Sequence, residues 1–271
     1  MRLLKIILIC FPVVFAGFVS CTKTTTIHQF ETDTVVIKQH LTLNDTFYNL
    51  TNDITAWYSF NLGSLYDSSG WNNNISVCTA TPTADRFGRP GNAYHFDGTQ
   101  FMNVNAHSSV MGSRYITVVA IIKFNDFYKG AGFDNTILLN NRYDTVSNAY
   151  GIIVHPRSYD PSAPLDTSKE IFVARYGNAR IADSSTFVHI NTWYVVAFTY
   201  DGSLLKLYVN GELRNSRAVT TTLDYNGYMC FIGGFPPPSL PFSFNGVIDE
   251  VREYSKALSG DYIRQFNKLT Q

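Results

Sequence analysis

The sequence predicts an all-β protein in which two antiparallel sheets pack face to face. The dipeptides Asp201-Gly202 and Asn210-Gly211 each separate two runs rich in Val, Leu, Tyr and Phe. Such dipeptides tolerate the positive φ angles that tight hairpin turns require. Turn signals of this kind recur between short apolar runs along most of the chain, which is typical of a two-sheet sandwich.

The stretch around these two turns predicts three consecutive strands, at about residues 193–200, 204–209 and 212–218. In the middle strand, alternation places Leu205, Leu207 and Val209 on a core face. Lys206 and Tyr208 fall on the opposite face, which we expect to meet water or a ligand. The first strand is apolar on both faces, so it is predicted to lie inside a sheet rather than at its edge.

The rest of the folded region, which is predicted to start at Ile54, reads as further strands and one short helix. The clearest strands are at residues 116–124, 137–141, 149–154, 171–176, 178–182, 229–235 and 244–254. A helix is predicted from Ser259 to Asn267, because Ser259 is a favourable N-cap residue.

Four segments, in the same order along the chain, resemble laminin-G-like domains of the concanavalin A-like lectin and glucanase group. They are AWYSFNLGSLYDSSG (56–70), DRFGRPGNAYHFDG (85–98), WYVVAFTYDGSLLKLYVNGELRNS (193–216) and FNGVIDEVREY (244–254). The resemblance covers about residues 54–267 and implies a jelly-roll sandwich. One departure is Asn61-Leu62-Gly63, which stands where the family pattern has Asn-Gly.

The net charge argues against some partners. The 21 Lys and Arg residues balance the 21 Asp and Glu residues, so the formal net charge is zero. We therefore expect no nucleic-acid partner, and charge gives no reason to expect an anionic membrane surface as a partner. At the N-terminus, Arg2 and Lys5 precede an apolar run over residues 6–19, which is the layout of a secretory signal. Pro12 and Gly17 interrupt this run, which disfavours a lasting transmembrane helix.

The end of this signal resembles a bacterial lipobox. In Phe18-Val19-Ser20-Cys21, Cys21 would become the lipid-modified first residue of the mature chain; ordinary secretion with cleavage nearby is the alternative. We predict a lipoprotein signal peptide at residues 1–20, a Thr-rich stalk at 21–50 and the jelly-roll domain at 51–271. The expected location is a bacterial cell envelope, at the outer membrane, with the periplasmic or outer side left open.

Two further cysteines, Cys78 and Cys230, lie in the predicted domain. An exported protein meets an oxidising compartment, so the two could form a disulfide. Two separate buried thiols are an equal alternative, because the sequence does not give the distance between them.

The resemblance also implies a structural calcium ion. Asp67, in the DSSG turn, and Asp249, in the last strand, match family positions that often hold calcium, and Asn61 could add an amide oxygen. Hard cations favour such oxygen ligands. The alternative is that Asp67 only caps its turn, while Asp249 pairs with Arg252 or with a backbone group.

A catalytic set is not visible in the sequence. Some glycan hydrolases of this fold carry E-x-D-x-x-E on one strand, which supplies an acid and a nucleophile. Here Val247 lies two residues before Asp249, and Glu250 and Glu253 are expected to point to opposite faces of a strand. The His residues show no metal-binding spacing.

We therefore expect a non-catalytic, carbohydrate-binding lipoprotein. Sugars stack on aromatic rings and bond to planar polar groups, and the candidate residues are Tyr208, Trp71 and Arg142. A glycoside hydrolase or polysaccharide lyase of the same fold is one alternative. The other is an adhesion or scaffold module that binds an envelope protein.

Overall fold

The computed structural model describes residues 49–105, 109, 114–127, 134–140, 150–156, 170–183, 185–221, 223, 229–236 and 243–270. Cys21 and Arg142 lie outside these residues, so the roles assigned to them stay predictions. In the part of the chain that the structure describes, no helix is both long enough and apolar enough to cross a membrane.

The elements follow the predicted order of strands and a final helix. In chain order they are β1 Ile54–Tyr58, β2 Ile75–Cys78, β3 Thr81–Thr83, β4 Ala93–Asp97, β5 Met102–Val104, β6 Ile116–Asp126, β7 Asn135–Asn140, β8 Tyr150–Pro156, β9 Glu170–Tyr176, β10 Ala179–Ala182, β11 Trp193–Tyr200, β12 Leu204–Val209, β13 Glu212–Ala218, β14 Cys230–Ile232, β15 Asn245–Tyr254 and α1 Gly260–Leu269. The three strands predicted around the two turns are confirmed at β11, β12 and β13.

The strands form two antiparallel sheets, which confirms the jelly-roll sandwich. The first sheet has the order β13-β12-β11-β6-β15-β4-β3, with β1 also paired to β15. The second sheet has the order β10-β9-β8-β7-β14-β5-β2. Strand β11 lies between β12 and β6, as its two apolar faces predicted.

The main core lies between the sheets, and the predicted face of β12 belongs to it. Leu205, Leu207 and Val209 are fully buried there, together with Val196 and Phe198 of β11. The hairpin between β12 and β13 turns at Asn210 and Gly211, with φ angles of 51° and 80°. The turn needs this left-handed backbone, and a side chain on Gly211 would also press against α1.

The outer face of the first sheet is covered by α1, which corrects one prediction. Tyr208 is only 3% exposed and packs with Val195 and Ala197 against Ile263 and Phe266 of the helix. The expected open face of β12 is therefore closed around Tyr208, and this ring is not available for stacking on a sugar.

The helix begins as the sequence predicted. The Ser259 side chain accepts a hydrogen bond from the Tyr262 N–H at 3.2 Å. This satisfies one of the amide groups that the first helical turn leaves without a partner.

The alternative of two separate thiols is the one that the structure shows. Cys78 lies in β2 and Cys230 in β14, and both are free. Strand β5 separates these two strands, which places them roughly 10 Å apart. A disulfide needs Cα atoms within about 7 Å, so of the two alternatives the structure agrees with separate thiols at Cys78 and Cys230.

Candidate functional site

The loop over residues 59–74, between β1 and β2, brings together several large exposed side chains. We call it the β1–β2 loop. Leu62 is 83% exposed, Tyr66 73% and Trp71 51%. Most residues of this size are buried in a folded protein, so three exposed ones in a single loop indicate a surface that contacts another molecule.

The first part of the loop is a short 3-10 turn with a left-handed backbone. Phe60 and Leu62 have φ angles of 54° and 53°, a conformation that costs a residue with a side chain about 1–2 kcal/mol. The turn is held by the neighbouring chain, because the Leu62 N–H donates to Asn92 Oδ1 and the Gly63 N–H to the Gly91 carbonyl, each at 2.6 Å. These bonds keep Leu62 outside the core.

Asp67 fixes the middle of the loop. Its Oδ1 accepts hydrogen bonds from the N–H groups of Trp57 and Ser69, at 2.9 and 2.8 Å. Its Oδ2 accepts from the Ser69 hydroxyl at 2.7 Å and from the Asn73 N–H at 3.0 Å. The Asp67 N–H in turn donates to Asn74 Oδ1 at 2.8 Å. One buried carboxylate therefore ties together β1, Ser69 of the DSSG turn and Asn73 near the end of the loop.

Trp71 is the predicted ligand-binding residue that the structure leaves exposed. Its indole N–H donates to the Ile54 carbonyl at 3.1 Å, and its backbone N–H donates to the Ser69 hydroxyl at 3.3 Å. These bonds satisfy the only polar group of the ring, while about half of the side chain stays in contact with solvent. The ring is thus oriented and partly open, as a stacking surface requires.

Asn73 ties the end of the loop to the sandwich. Its side-chain amide donates to the Thr55 carbonyl and to the Ser109 hydroxyl, each at 2.7 Å. Its own carbonyl accepts from the Tyr58 hydroxyl at 2.7 Å. Trp71 therefore lies between two anchored residues, Ser69 and Asn73.

Asp67, Asp249 and Asn61 do not fit a shared calcium ion. Each oxygen of Asp67 already accepts two hydrogen bonds from the loop or from β1. Asp249 Oδ2 accepts from the backbone N–H and from the guanidinium of Arg86, the latter at 2.6 Å, and a neighbouring cation opposes a metal ion at this oxygen. Among the described residues, no cluster of three or more His, Cys, Asp or Glu side chains could hold a metal. Asn61 lies half-buried in the 3-10 turn.

Asp249 is instead part of a buried ion pair. Burial raises the pKa of its carboxyl to about 6, and the charge of Arg86 offsets only part of this increase. The expected alternative partner, Arg252, binds Glu250 through its guanidinium, with Nε at 2.6 Å from Oε1. Arg86 also donates from Nε to the Thr270 carbonyl at 2.6 Å, next to the end of α1.

The two glutamates of β15 lie on opposite faces of the strand, as predicted. Glu250 faces outward and accepts hydrogen bonds from Arg252 and from the Trp57 indole. Glu253 faces the interior between the sheets, where the Tyr150 hydroxyl donates to it at 2.9 Å. The two carboxylates therefore cannot act together on one substrate.

Sequence reasoning missed Tyr66, Leu62 and Arg86. Tyr66 and Leu62 had a visible signal, because they are apolar residues in a stretch of Gly, Ser and Asn that does not alternate like a strand. Arg86 had no local signal, since 163 positions separate it from Asp249.

The fold is that of a lectin-like all-β sandwich. The family model described as the Concanavalin A-like lectin/glucanases superfamily, Laminin_G_3, matches residues 96–264, which is more than half of the chain. The chain belongs to this superfamily. The β1–β2 loop lies before the matched stretch. No curated protein matches the sequence.

Solved structures show the same fold. One is domain 4 of AbnA, a GH43 extracellular arabinanase from Geobacillus stearothermophilus, in complex with arabinotriose; it has a TM-score of 0.56 and 19% identity, over 81% of this chain and 98% of that one. The binding domain of botulinum neurotoxin DC in complex with SialylT has a TM-score of 0.57 and 13% identity, over 82% and 52%. The same binding domain in complex with rat synaptotagmin II has a TM-score of 0.58 and 14% identity, over 82% and 53%. The chain thus spans about half the length of these toxin domains, and such low identities show likeness of fold alone.

Proposed function

We propose that this protein is a non-catalytic carbohydrate-binding domain, and that it is held at a bacterial envelope by a lipid on Cys21. The observation that carries the binding function is the state of Trp71. Its ring is half exposed, and its indole N–H is already bonded to the Ile54 carbonyl. A ring held in this way offers a stacking face without losing further side-chain freedom when a ligand binds.

The surroundings of the ring suit a sugar. Asn72 and Ser68 are exposed on the same loop, and their amide and hydroxyl groups can both donate to and accept from sugar hydroxyls. The loop is held by the hydrogen bonds of Asp67, so little ordering is needed on binding.

The carboxylates of the last strand support a role without catalysis. Asp249 is paired with Arg86, and Glu250 is paired with Arg252. Glu253 is sealed between the sheets. A glycosidase needs two carboxyl groups that both reach the scissile bond, and β15 offers no such pair.

The structural neighbours are consistent with a glycan ligand. The domain of the arabinanase was solved with arabinotriose, and the neurotoxin binding domain with SialylT. Since these likenesses concern the fold, they support the class of ligand and not its identity.

A protein-binding role is the second candidate, and Leu62 favours it. This side chain is 83% exposed and is held outward by a left-handed backbone. An aliphatic side chain contributes more to a protein interface than to a sugar surface. The neurotoxin binding domain, which has the same fold, was also solved in complex with a protein, rat synaptotagmin II.

The test compares two variants of the purified protein on a broad polysaccharide panel. Trp71→Ala should weaken glycan binding about tenfold, because a stacking ring contributes roughly 1–2 kcal/mol. Leu213→Ala is the matched control, since Leu213 is 52% exposed at the far edge of the first sheet. Release of new reducing ends would refute the non-catalytic role. Absence of binding, with capture of an envelope protein that depends on Leu62, would favour the second candidate.

A further inference from the structure

We infer that the ligand of the β1–β2 loop is an uncharged polysaccharide, and this inference rests on the proposed function. The loop carries a single residue that is charged at neutral pH, Asp67. That carboxylate is buried, and each of its oxygens accepts two hydrogen bonds from the loop or from β1. The surface of the loop therefore presents amide, hydroxyl and apolar groups and no charge.

The charged groups beside the loop are already paired with one another. Next to Trp57, the Glu250 carboxylate accepts a hydrogen bond from the Arg252 guanidinium, and both side chains are buried. Near Ile54, which accepts from the Trp71 indole, Lys256 Nζ lies 3.5 Å from Asp53 Oδ2. Arg252 is thus paired inside the protein, and Lys256, although it is 64% exposed, has the Asp53 carboxylate beside it.

The arginine side chains of the turn that supports Leu62 are also paired with carboxylates. It runs from Asp85 to Asn92, and within it Arg89 Nε lies 2.6 Å from Asp85 Oδ2. Arg86, from the same turn, is held by Asp249. These guanidinium groups have carboxylate partners within the protein, so binding an anionic sugar would require them to exchange partners.

This arrangement discriminates against anionic sugars. A uronate, sulfate or sialate group loses part of its hydration when it approaches a protein, and the loss is tolerable only if a cation or several donors replace the water. Arg side chains usually supply that compensation, because they bond a carboxylate through two N–H groups. Among the described residues of the loop there is neither Arg nor Lys. A neutral sugar needs only the ring of Trp71 and the polar groups beside it.

The experiment measures binding of the full-length protein to two sets of polysaccharides at low and high salt. The neutral set contains arabinan, arabinoxylan, mixed-linkage β-glucan and mannan. The anionic set contains polygalacturonate, alginate, hyaluronan and chondroitin sulfate. We expect binding within the neutral set that changes less than about twofold between roughly 0.02 and 0.5 M NaCl, since screening affects only charged contacts. Trp71→Ala should weaken this binding about tenfold.

A variant that adds charge provides the matched control. Ser68 is exposed, its backbone N–H donates to the Trp57 carbonyl, and within the described parts of the chain its side chain makes no hydrogen bond that holds the loop. Ser68→Lys places a cation among the polar groups of the loop, so it should create salt-sensitive binding to the anionic set that the unchanged protein lacks.

Three outcomes would count against the inference. Salt-sensitive binding of an anionic polysaccharide by the unchanged protein, lost in Trp71→Ala, would overturn the neutral class and leave the proposed function standing. If Trp71→Ala leaves binding of the neutral polysaccharides unchanged, the binding site does not lie on this loop. No binding to either set would overturn the proposed function together with the inference.

Discussion

Tyr150 of β8 donates a hydrogen bond to Glu253 of β15 at 2.9 Å, across the space between the two sheets. The Asn140 amide donates to the same tyrosine hydroxyl at 3.1 Å, and the Cys230 thiol lies 3.8 Å from the other carboxyl oxygen. A small polar network thus links the two sheets inside the core. Burial raises the pKa of Glu253 to about 7, although the hydrogen bonds from Tyr150 and Cys230 oppose this increase.

This pKa predicts how stability depends on pH. The pKa of Glu253 is higher in the folded protein than in the unfolded chain, where it is 4.5. The folded state therefore binds more protons between about pH 4.5 and 7, so the contribution of Glu253 is complete below this window and is lost as pH rises through it. The loss should be on the order of 3 kcal/mol. Urea denaturation at several pH values between 4.5 and 8 measures it.

Glu253→Gln tests the assignment, because an amide keeps the shape and does not titrate. In this variant the free energy of unfolding should change little between about pH 6 and 7, and at pH 8 the variant should be at least as stable as the unchanged protein. The pKa of Asp249 is also raised, to about 6, so Asp249→Asn should alter the slope mainly below that value. Equal slopes for Glu253→Gln and the unchanged protein would mean that Glu253 is ionised in the core.

Tyr208→Ala should destabilise the protein by roughly 2–4 kcal/mol, because it leaves a cavity between the first sheet and α1. Tyr208→Phe keeps the ring and should cost less than about 1.5 kcal/mol. Trp71→Ala, on the exposed loop, should change the free energy of unfolding much less than Tyr208→Ala. Chemical denaturation of the three variants measures this order. If Tyr208→Ala unfolds like the unchanged protein, α1 does not cover the sheet in solution.

The comparison of Tyr208 with Leu207 shows what the sequence could predict. The two hairpin turns and the period of two placed both residues on the correct faces of β12, because these rules depend on local backbone geometry. Which faces are covered depends on contacts between distant parts of the chain. The sequence did contain a signal that a helix covers the outer face of β12. Tyr262, Ile263 and Phe266 lie at helical spacing and form one apolar face.

The candidate site was predictable to a similar extent. Trp71 is followed by three asparagines, a composition typical of surface turns, and its ring is indeed half exposed. The acidic turn indicated that Asp67 caps its own loop as one of two alternatives. The partner of Asp249 and the separation of Cys78 from Cys230 depend on how distant strands are ordered in each sheet, which no local pattern specifies.

Lipid attachment at Cys21 predicts where the protein is found after cell fractionation. Cys21→Ala should move the protein from the membrane fraction to the soluble fraction, because it removes the acyl chains that would hold it. Cys10→Ala is the matched control, since this cysteine lies within the predicted signal peptide and should leave the protein in the membrane fraction. Detergent partitioning followed by immunoblotting measures the distribution. Membrane association of Cys21→Ala equal to that of the unchanged protein would contradict lipid anchoring.

Removal of calcium should leave the melting temperature unchanged. The two oxygens of Asp67 are occupied by four hydrogen bonds within the protein, and Asp249 is neutralised by Arg86. A native-state ligand stabilises a protein by mass action, so thermal unfolding in chelator and in excess calcium measures binding directly. Asp67→Asn should lower stability equally in both solutions, by about 1–3 kcal/mol, because it removes an acceptor from buried N–H groups. A melting temperature that rises with calcium, and no longer does so in Asp249→Asn, would show instead that the ion displaces Arg86 from this carboxylate.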